Sequence, residues 1–147
     1  MRFLSLATLV LLLDQVTKYL VSHKMELGQS IPVLDNIFHI TYIHNPGAAF
    51  GMLAYRTAFF VAITVVVVVA ILIFYRRIKE NRYLLKSGLA LQLGGAVGNL
   101  LDRLRYGYVI DFLDFRVWPV FNLADSAIVL GVALVCWELW RMPDKEK

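Results

Sequence analysis

Apolar residues along the chain collect into four runs: Leu4 to Val21, Thr57 to Tyr75, Leu84 to Leu101 and Val120 to Trp140. Each is close to the roughly 20 residues that a helix rising about 1.5 Å per residue needs to cross about 30 Å of hydrocarbon. The second run, "TAFFVAITVVVVVAILIFY", is broken only by threonine, which suits a helix facing lipid. The other three carry strongly polar residues. Asp14 and Lys18 lie in the first, Asn99, Asp102 and Arg103 at the end of the third, and Asn122 and Asp125 in the opening turns of the fourth.

Depth relates these residues to one another. At the helical rise, Lys18 sits about 5 Å inside the end of its run, Asp125 about 7 Å inside its own, and Asp14 about a turn deeper than Lys18. A carboxylate in hydrocarbon costs a few kcal/mol or more. Runs of opposite chain direction nevertheless bring their polar residues to one depth on one side, which predicts a single site, wet at the interface and walled by apolar helix. Plainer roles are available to each residue alone. Asp14 and Lys18, spaced i and i+4, share a helix face and can brace it. Asn99 and Asn122 can bridge helices by amide hydrogen bonds worth about 1 kcal/mol each. Gly94 and Gly98 form a close-packing G-x-x-x-G. Asp102 with Arg103 reads as a solvated pair, and Asp111 and Asp114 as surface carboxylates.

Composition agrees with a membrane protein. Of 147 residues 59% are hydrophobic and only 18% charged, with mean hydropathy +0.65, where a soluble domain has about a quarter charged. The predicted fold is all-α and integral to the membrane: four transmembrane helices in a single domain over 1–147. A small extracytoplasmic β-element and a short surface helix complete it. The net charge of +4 reads as topology, and no nucleic-acid partner is expected. Arg2, Arg76, Arg77, Lys79, Arg82, Lys86, Arg141, Lys145 and Lys147 fall on one face; Lys24, Arg56, Arg103, Arg105 and Arg116 fall on the other. The positive-inside rule then puts both termini in the cytoplasm, and segments 22–56 and 102–119 outside. The start "MRFLSLATLVLLL" lacks a following small-x-small cleavage site, so it reads as a retained span. The single cysteine, Cys136, excludes an internal disulfide.

In the outer segment, "NIFHITYIH" alternates enough for a short strand, and "NPGAAFGML" reads as a turn into a short amphipathic surface helix. "YGYVIDFLDF" reads as an outer loop.

The chemistry narrows by exclusion. There is no H-E-x-x-H, no G-x-S-x-G and no glycine-rich phosphate loop with a following lysine, and no metal or cofactor is expected. Two constellations fit. Asp125 with Asp102 or Asp111 makes a carboxyl pair that shares a proton, one member activating water while the other protonates the carbonyl oxygen. Ser126 with a desolvated Lys18 makes a serine–lysine pair for acyl transfer. Spacing does not choose between them. A proton-coupled carrier also uses intramembrane carboxylates and a lysine, but no polar ladder continues through Leu6 to Leu13 or Leu130 to Val135.

Five stretches, "DQVTK" (14–18), "NPGAAFG" (45–51), "GGAVGNLLDR" (94–103), "VIDF" (109–112) and "FNLADS" (121–126), occur in the order found in lipoprotein signal peptidases (signal peptidase II). The chain resembles that family of bacterial inner-membrane aspartic peptidases over nearly its whole length. The resemblance implies a catalytic pair at Asp111 and Asp125, surrounded by Asp14, Asn45, Asn99, Asp102, Arg103 and Asn122 as orienting or substrate-contacting residues. Lys18, in the first stretch, joins that group. The implied substrates are prolipoproteins whose cysteine already carries a diacylglyceryl group, cut on the N-terminal side of that cysteine near the outer face of the membrane.

Overall fold

The structure is a computed structural model that describes residues 2–47, 56–79 and 81–141. It contains helices α1 (Arg2–Lys24), α2 (Thr57–Tyr75), α3 (Tyr83–Tyr106) and α4 (Leu123–Arg141), and strands β1 (Ser30–Leu34), β2 (Phe38–Asn45) and β3 (Val109–Asp114). The fold is mostly helical, but its β-element exceeds one short strand. The three strands form an antiparallel sheet in the order β1-β2-β3. The segment read as an outer loop supplies β3, which pairs Asn45 with Val109 and Ile43 with Asp111. Its residues Val109 to Phe112 are all buried, so no alternation of polar and apolar positions announced it. The surface helix expected after Pro46 lies outside the described residues.

Each apolar run of the sequence became a helix, with ends shifted by a few residues. Three of the helices, α1 from Phe3, α2 and α4, are long and apolar enough to cross a membrane. Helix α3 is not among these, for a packing reason: it touches α1, α2 and α4, so small and polar residues occupy positions that lipid would fill with leucine. Eleven of its residues are buried, among them Gly88, Gly94, Gly95, Gly98, Asn99 and Asp102.

These glycines set how near the helices come. A Cβ at Gly94 would lie 2.5 Å from the Ala7 carbonyl oxygen of α1, and one at Gly88 would lie 2.7 Å from the Gly131 carbonyl oxygen of α4. Helix α2 contrasts with this, because Ile71 is its one buried residue. It packs chiefly on α3 and turns Val65, Val66, Val67 and Val69 outward, as a lipid-facing helix should.

Helix α1 changes character along one stripe. Phe3, Ala7, Val10, Asp14 and Lys18 are all buried, and their spacing of three and four residues stacks them on one face. Phe3 and Ala7 join Ile71, Leu89, Ala90 and Leu93 in an apolar core, with the Phe3 ring stacked on Tyr75 at 3.8 Å. Farther along the same stripe Asp14 and Lys18 enter a polar cluster beneath the sheet. Helix α3 ends at Gly107, whose left-handed backbone (φ 81°) donates its N–H to the Arg103 carbonyl at 3.0 Å. That turn releases the chain into β3.

A methyl group at Gly94 has no free space because its nearest neighbour is backbone. Gly94→Ala is expected to lower stability by about 1–3 kcal/mol, the usual cost of overpacking. Thermal unfolding in detergent measures this, and an unchanged midpoint would show that the α1–α3 contact is loose.

Candidate active site

The site begins at the entry to α4. Phe121 is tied to β3 in both directions: the N–H groups of Phe112 and Leu113 donate to its carbonyl at 2.9 and 2.7 Å, and its own N–H donates to Leu113 at 3.1 Å. This pairing holds the start of α4 beside the strand that carries Asp111. Asn122 then caps the helix. Its Oδ1 accepts the Asp125 N–H at 2.9 Å, while Asp125 Oδ2 accepts the Asn122 N–H at 3.3 Å, a reciprocal capping box. A further N–H of that turn, on Ala124, donates to Asp14 Oδ1 of α1 at 3.0 Å.

Asn122 also joins the two candidate carboxyl groups. Its Nδ2 donates to Asp111 Oδ1 at 2.6 Å, and Asn45 Nδ2 from β2 donates to Asp111 Oδ2 at 2.9 Å. Asp125 Oδ1 receives Asn99 Nδ2 from α3 at 2.7 Å. Asp111 and Asp125 line one cavity of about 300 Å³, together with Asn45, Asn99 and Arg103. Trp118, Phe121, Ile128 and Val129 form its apolar wall. Burial and the neighbouring Asp125 charge push the Asp111 carboxyl up to about 7. A buried carboxyl beside a second one holds its proton at neutral pH for this reason.

Behind the cavity lies a second cluster. Lys18 Nζ reaches Asp14 Oδ2, Asp102 Oδ2 and Asn99 Oδ1, each at 2.9 Å, so all three ammonium donors are satisfied. Asp102 Oδ2 further accepts the Ile110 N–H at 3.2 Å, which anchors β3 one residue before Asp111. Arg103 points to the other side. Its guanidinium lies 5.0 Å from the Phe60 ring centre and donates to the Gly47 carbonyl at 3.4 Å. Asp114 stands apart at the end of β3, held below the usual carboxylate range. Burial opposes that shift, but hydrogen bonds from Thr41 and Arg116 outweigh it.

This geometry separates the alternatives that spacing left open. Asp102 is taken up by Lys18 and the β3 backbone, whereas Asp111 shares a cavity with Asp125. Lys18 has no donor to spare for Ser126, whose hydroxyl donates to the Asn122 carbonyl at 3.0 Å. The residues expected at the site, Asp14, Lys18, Asn45, Asn99, Asp102, Arg103, Asp111, Asn122 and Asp125, therefore form one connected assembly. Sequence reasoning passed over Gln15. Its Nε2 donates to Asp102 at 3.0 Å, Asp14 at 3.2 Å and the Gly98 carbonyl at 3.3 Å. The available signal was a carboxamide within an apolar helix next to Asp14.

Two carboxyl groups facing a shared cavity, one of them retaining its proton near neutrality, are equipped for aspartic hydrolysis. Comparison with known proteins carries this further. The sequence matches the family described as Signal peptidase (SPase) II over residues 6–141. It is 58% identical over 139 residues to the lipoprotein signal peptidase of Moorella thermoacetica, covering 95% of this chain and 93% of that one. The corresponding protein of Pelotomaculum thermopropionicum is 54% identical, with 92% and 90% covered. A solved bacterial membrane enzyme superposes with a TM-score of 0.90 at 34% identity, covering 99% of this chain and 92% of its own. The chain belongs to the signal peptidase II family of aspartic-type lipoprotein signal peptidases, and is a bacterial multi-pass membrane protein.

The donors around Asp14 make its substitution informative. All three of its partners, Lys18, Gln15 and the Ala124 N–H, are donors, so an amide in its place must turn its own NH2 toward one of them. Asp14→Asn is expected to cost about 1–3 kcal/mol, as for a buried donor left unmatched. Asp14→Leu should cost about 3–5 kcal/mol, as for a broken buried pair. The check is the order of thermal midpoints, wild type above Asn above Leu; an Asn variant as stable as wild type would contradict the donor count.

Proposed function

We propose that the protein hydrolyses diacylglyceryl-modified prolipoproteins on the N-terminal side of the lipidated cysteine, with Asp111 and Asp125 as the catalytic pair. The observation that carries the assignment is the single cavity lined by both carboxyl groups and walled by apolar side chains. In this reading Asp125 is the ionised member. It lies in the first turn of α4, where the helix N-terminus favours negative charge, and it accepts two N–H donors. Asp111 is the protonated member.

Asp125 takes a proton from water as the water oxygen attacks the scissile carbonyl carbon. Asp111 gives its proton to the carbonyl oxygen. Collapse of the tetrahedral intermediate breaks the C–N bond: the proton held by Asp125 passes to the leaving cysteine nitrogen, and a hydroxyl proton returns to Asp111. Asn45, Asn99 and Asn122 hold the two carboxyls in register. Arg103 faces the cavity as a contact for substrate.

In the same reading α3 crosses the membrane with α1, α2 and α4, completing a single four-span domain. The Lys/Arg distribution supports cytoplasmic termini, which sets the sheet and the cavity near the outer face of the inner membrane. There a lipidated cysteine meets water while its acyl chains stay in hydrocarbon. The direct test incubates the purified protein in detergent with a diacylglyceryl-modified precursor and with its unlipidated form. Cleavage just before the cysteine of the lipidated form alone is expected, and cleavage elsewhere or of both forms equally would overturn the specificity.

Asp111→Asn and Asp125→Asn should each reduce turnover by at least about 10³-fold with folding retained, because an amide cannot exchange the proton. Ser126→Ala should keep most activity. A dead Ser126→Ala beside an active Asp125→Asn would favour serine chemistry.

The sign of the Asp111 shift sets the pH profile. Its raised value of about 7 means that the protonated form is lost as pH rises through that range. The rate should therefore fall on an alkaline limb with an apparent pKa near 7 that belongs to the pair. A profile flat from pH 6 to 9 would exclude a proton on Asp111 as a requirement.

A further inference from the structure

Two cavities border the buried hydrophilic cluster around Lys18. One is the cavity of Asp111 and Asp125. The other opens between α1 and the sheet end of α3, as a groove of about 300 Å³, equal in size to the first. Its floor includes Gln15, Lys18 and Asp102. Its wall is Leu12, Val16 and Tyr19, which are 57, 53 and 59% exposed, and its rim carries His23, Arg105 and Tyr106.

Two features give this groove a specific occupant. The first is charge. Arg105 Nη1 donates to Gln15 Oε1 at 3.2 Å, a neutral partner. Among the described residues no carboxylate is paired with this guanidinium. His23 closes the rim, its Nδ1 donating to the Tyr19 carbonyl at 2.9 Å and its ring centre 3.9 Å from that of Tyr19. A guanidinium offers a planar fork of donors that matches phosphate. The second is shape, an exposed apolar surface that lies directly beside the guanidinium. The groove thus has a guanidinium donor beside an apolar wall that Leu12, Val16 and Tyr19 carry over about 10 Å of helix, enough for part of an acyl chain.

We propose that this groove holds a single phospholipid of the outer leaflet, its phosphate on Arg105 and one acyl chain along Leu12, Val16 and Tyr19. The site is separate from the cavity of Asp111 and Asp125, with which it shares no lining residue. The bound lipid seals one side of the buried charge cluster against water. The choice of leaflet rests on the orientation proposed above, but binding in detergent does not depend on that orientation.

The test is native mass spectrometry of the full chain, purified in detergent and supplied with dioleoylphosphatidylglycerol or with dioleoylglycerol, which has the same chains and no phosphate. One phosphatidylglycerol should be retained per protein and dioleoylglycerol should not. Arg105→Glu and Val16→Trp should each lower retention at least about fivefold, the first by removing the phosphate donor and the second by filling the groove. Val16→Trp replaces a lipid-facing side chain outside the catalytic cavity, so its precursor cleavage should remain near wild type and certify its fold. Equal retention of the two lipids, or full retention in Val16→Trp, overturns the proposal. So does a photo-crosslinker at position 16 that captures a precursor's signal peptide rather than lipid, since the occupant would then be substrate.

Discussion

The structure depends on placing one ammonium group inside an apolar bundle. An isolated buried charge costs far more than a fold can absorb, and it is tolerable only when paired and fully hydrogen-bonded. Lys18 meets that condition with three acceptors from two helices, Asp14 of α1 and Asn99 and Asp102 of α3. Each acceptor then transmits the constraint. Asp14 reaches the N-terminus of α4, Asp102 reaches the backbone of β3, and Asn99 reaches Asp125. The position of Asp111 and Asp125 is therefore fixed from behind, by groups outside the cavity they line and by Asn99 at its edge.

That constraint works only if the helices come close, which explains the glycines of α3. A Cβ at Gly98 would lie 2.5 Å from Asp14 Oδ2, so this position holds the space the carboxylate occupies. The G-x-x-x-G of Gly94 and Gly98 thus combines two tasks: its first glycine admits the backbone of α1 and its second admits the acid. Polar satisfaction and tight packing are here one requirement, since a helix moved outward by a methyl group would stretch bonds to Asp14 as well.

Much of this was legible in the sequence, and the limits have physical causes. The four apolar runs specified the helices because hydrocarbon demands length and apolarity, and depth along the runs grouped Asp14, Lys18, Asn99, Asn122 and Asp125. Asp111 could not be chosen over Asp102 from spacing. Both come after the third run's apolar core, and the choice turns on Gly107, which reverses the chain, and on the backbone pairing of Phe121 with Leu113. Backbone pairing of this kind carries no side-chain signature. Strand β3 was hidden for a related reason: it is buried on both faces, so its residues read as a short apolar run containing an acid. Gln15 was hidden by its company, since Asp14 and Lys18 account for the polarity of that turn without it.

Helix α2 is a segment that answers to solvent instead of to neighbours. Val66 is 67% exposed and one residue of the helix is buried. Five consecutive valines, poor helix formers in water, remain helical in lipid because any other backbone conformation would leave amides unsatisfied there. Apart from Phe60, Ile71 and Tyr75, which meet partners on α3 and α1, its side chains answer mainly to a requirement for oiliness and length. The lipid-facing side of such a helix can be exchanged within the apolar alphabet at little cost in contacts, whereas on α3 even a methyl group added at Gly88, Gly94 or Gly95 meets backbone. The enzyme can adapt to a hotter or colder membrane by rewriting its hull and leaving its chemistry alone.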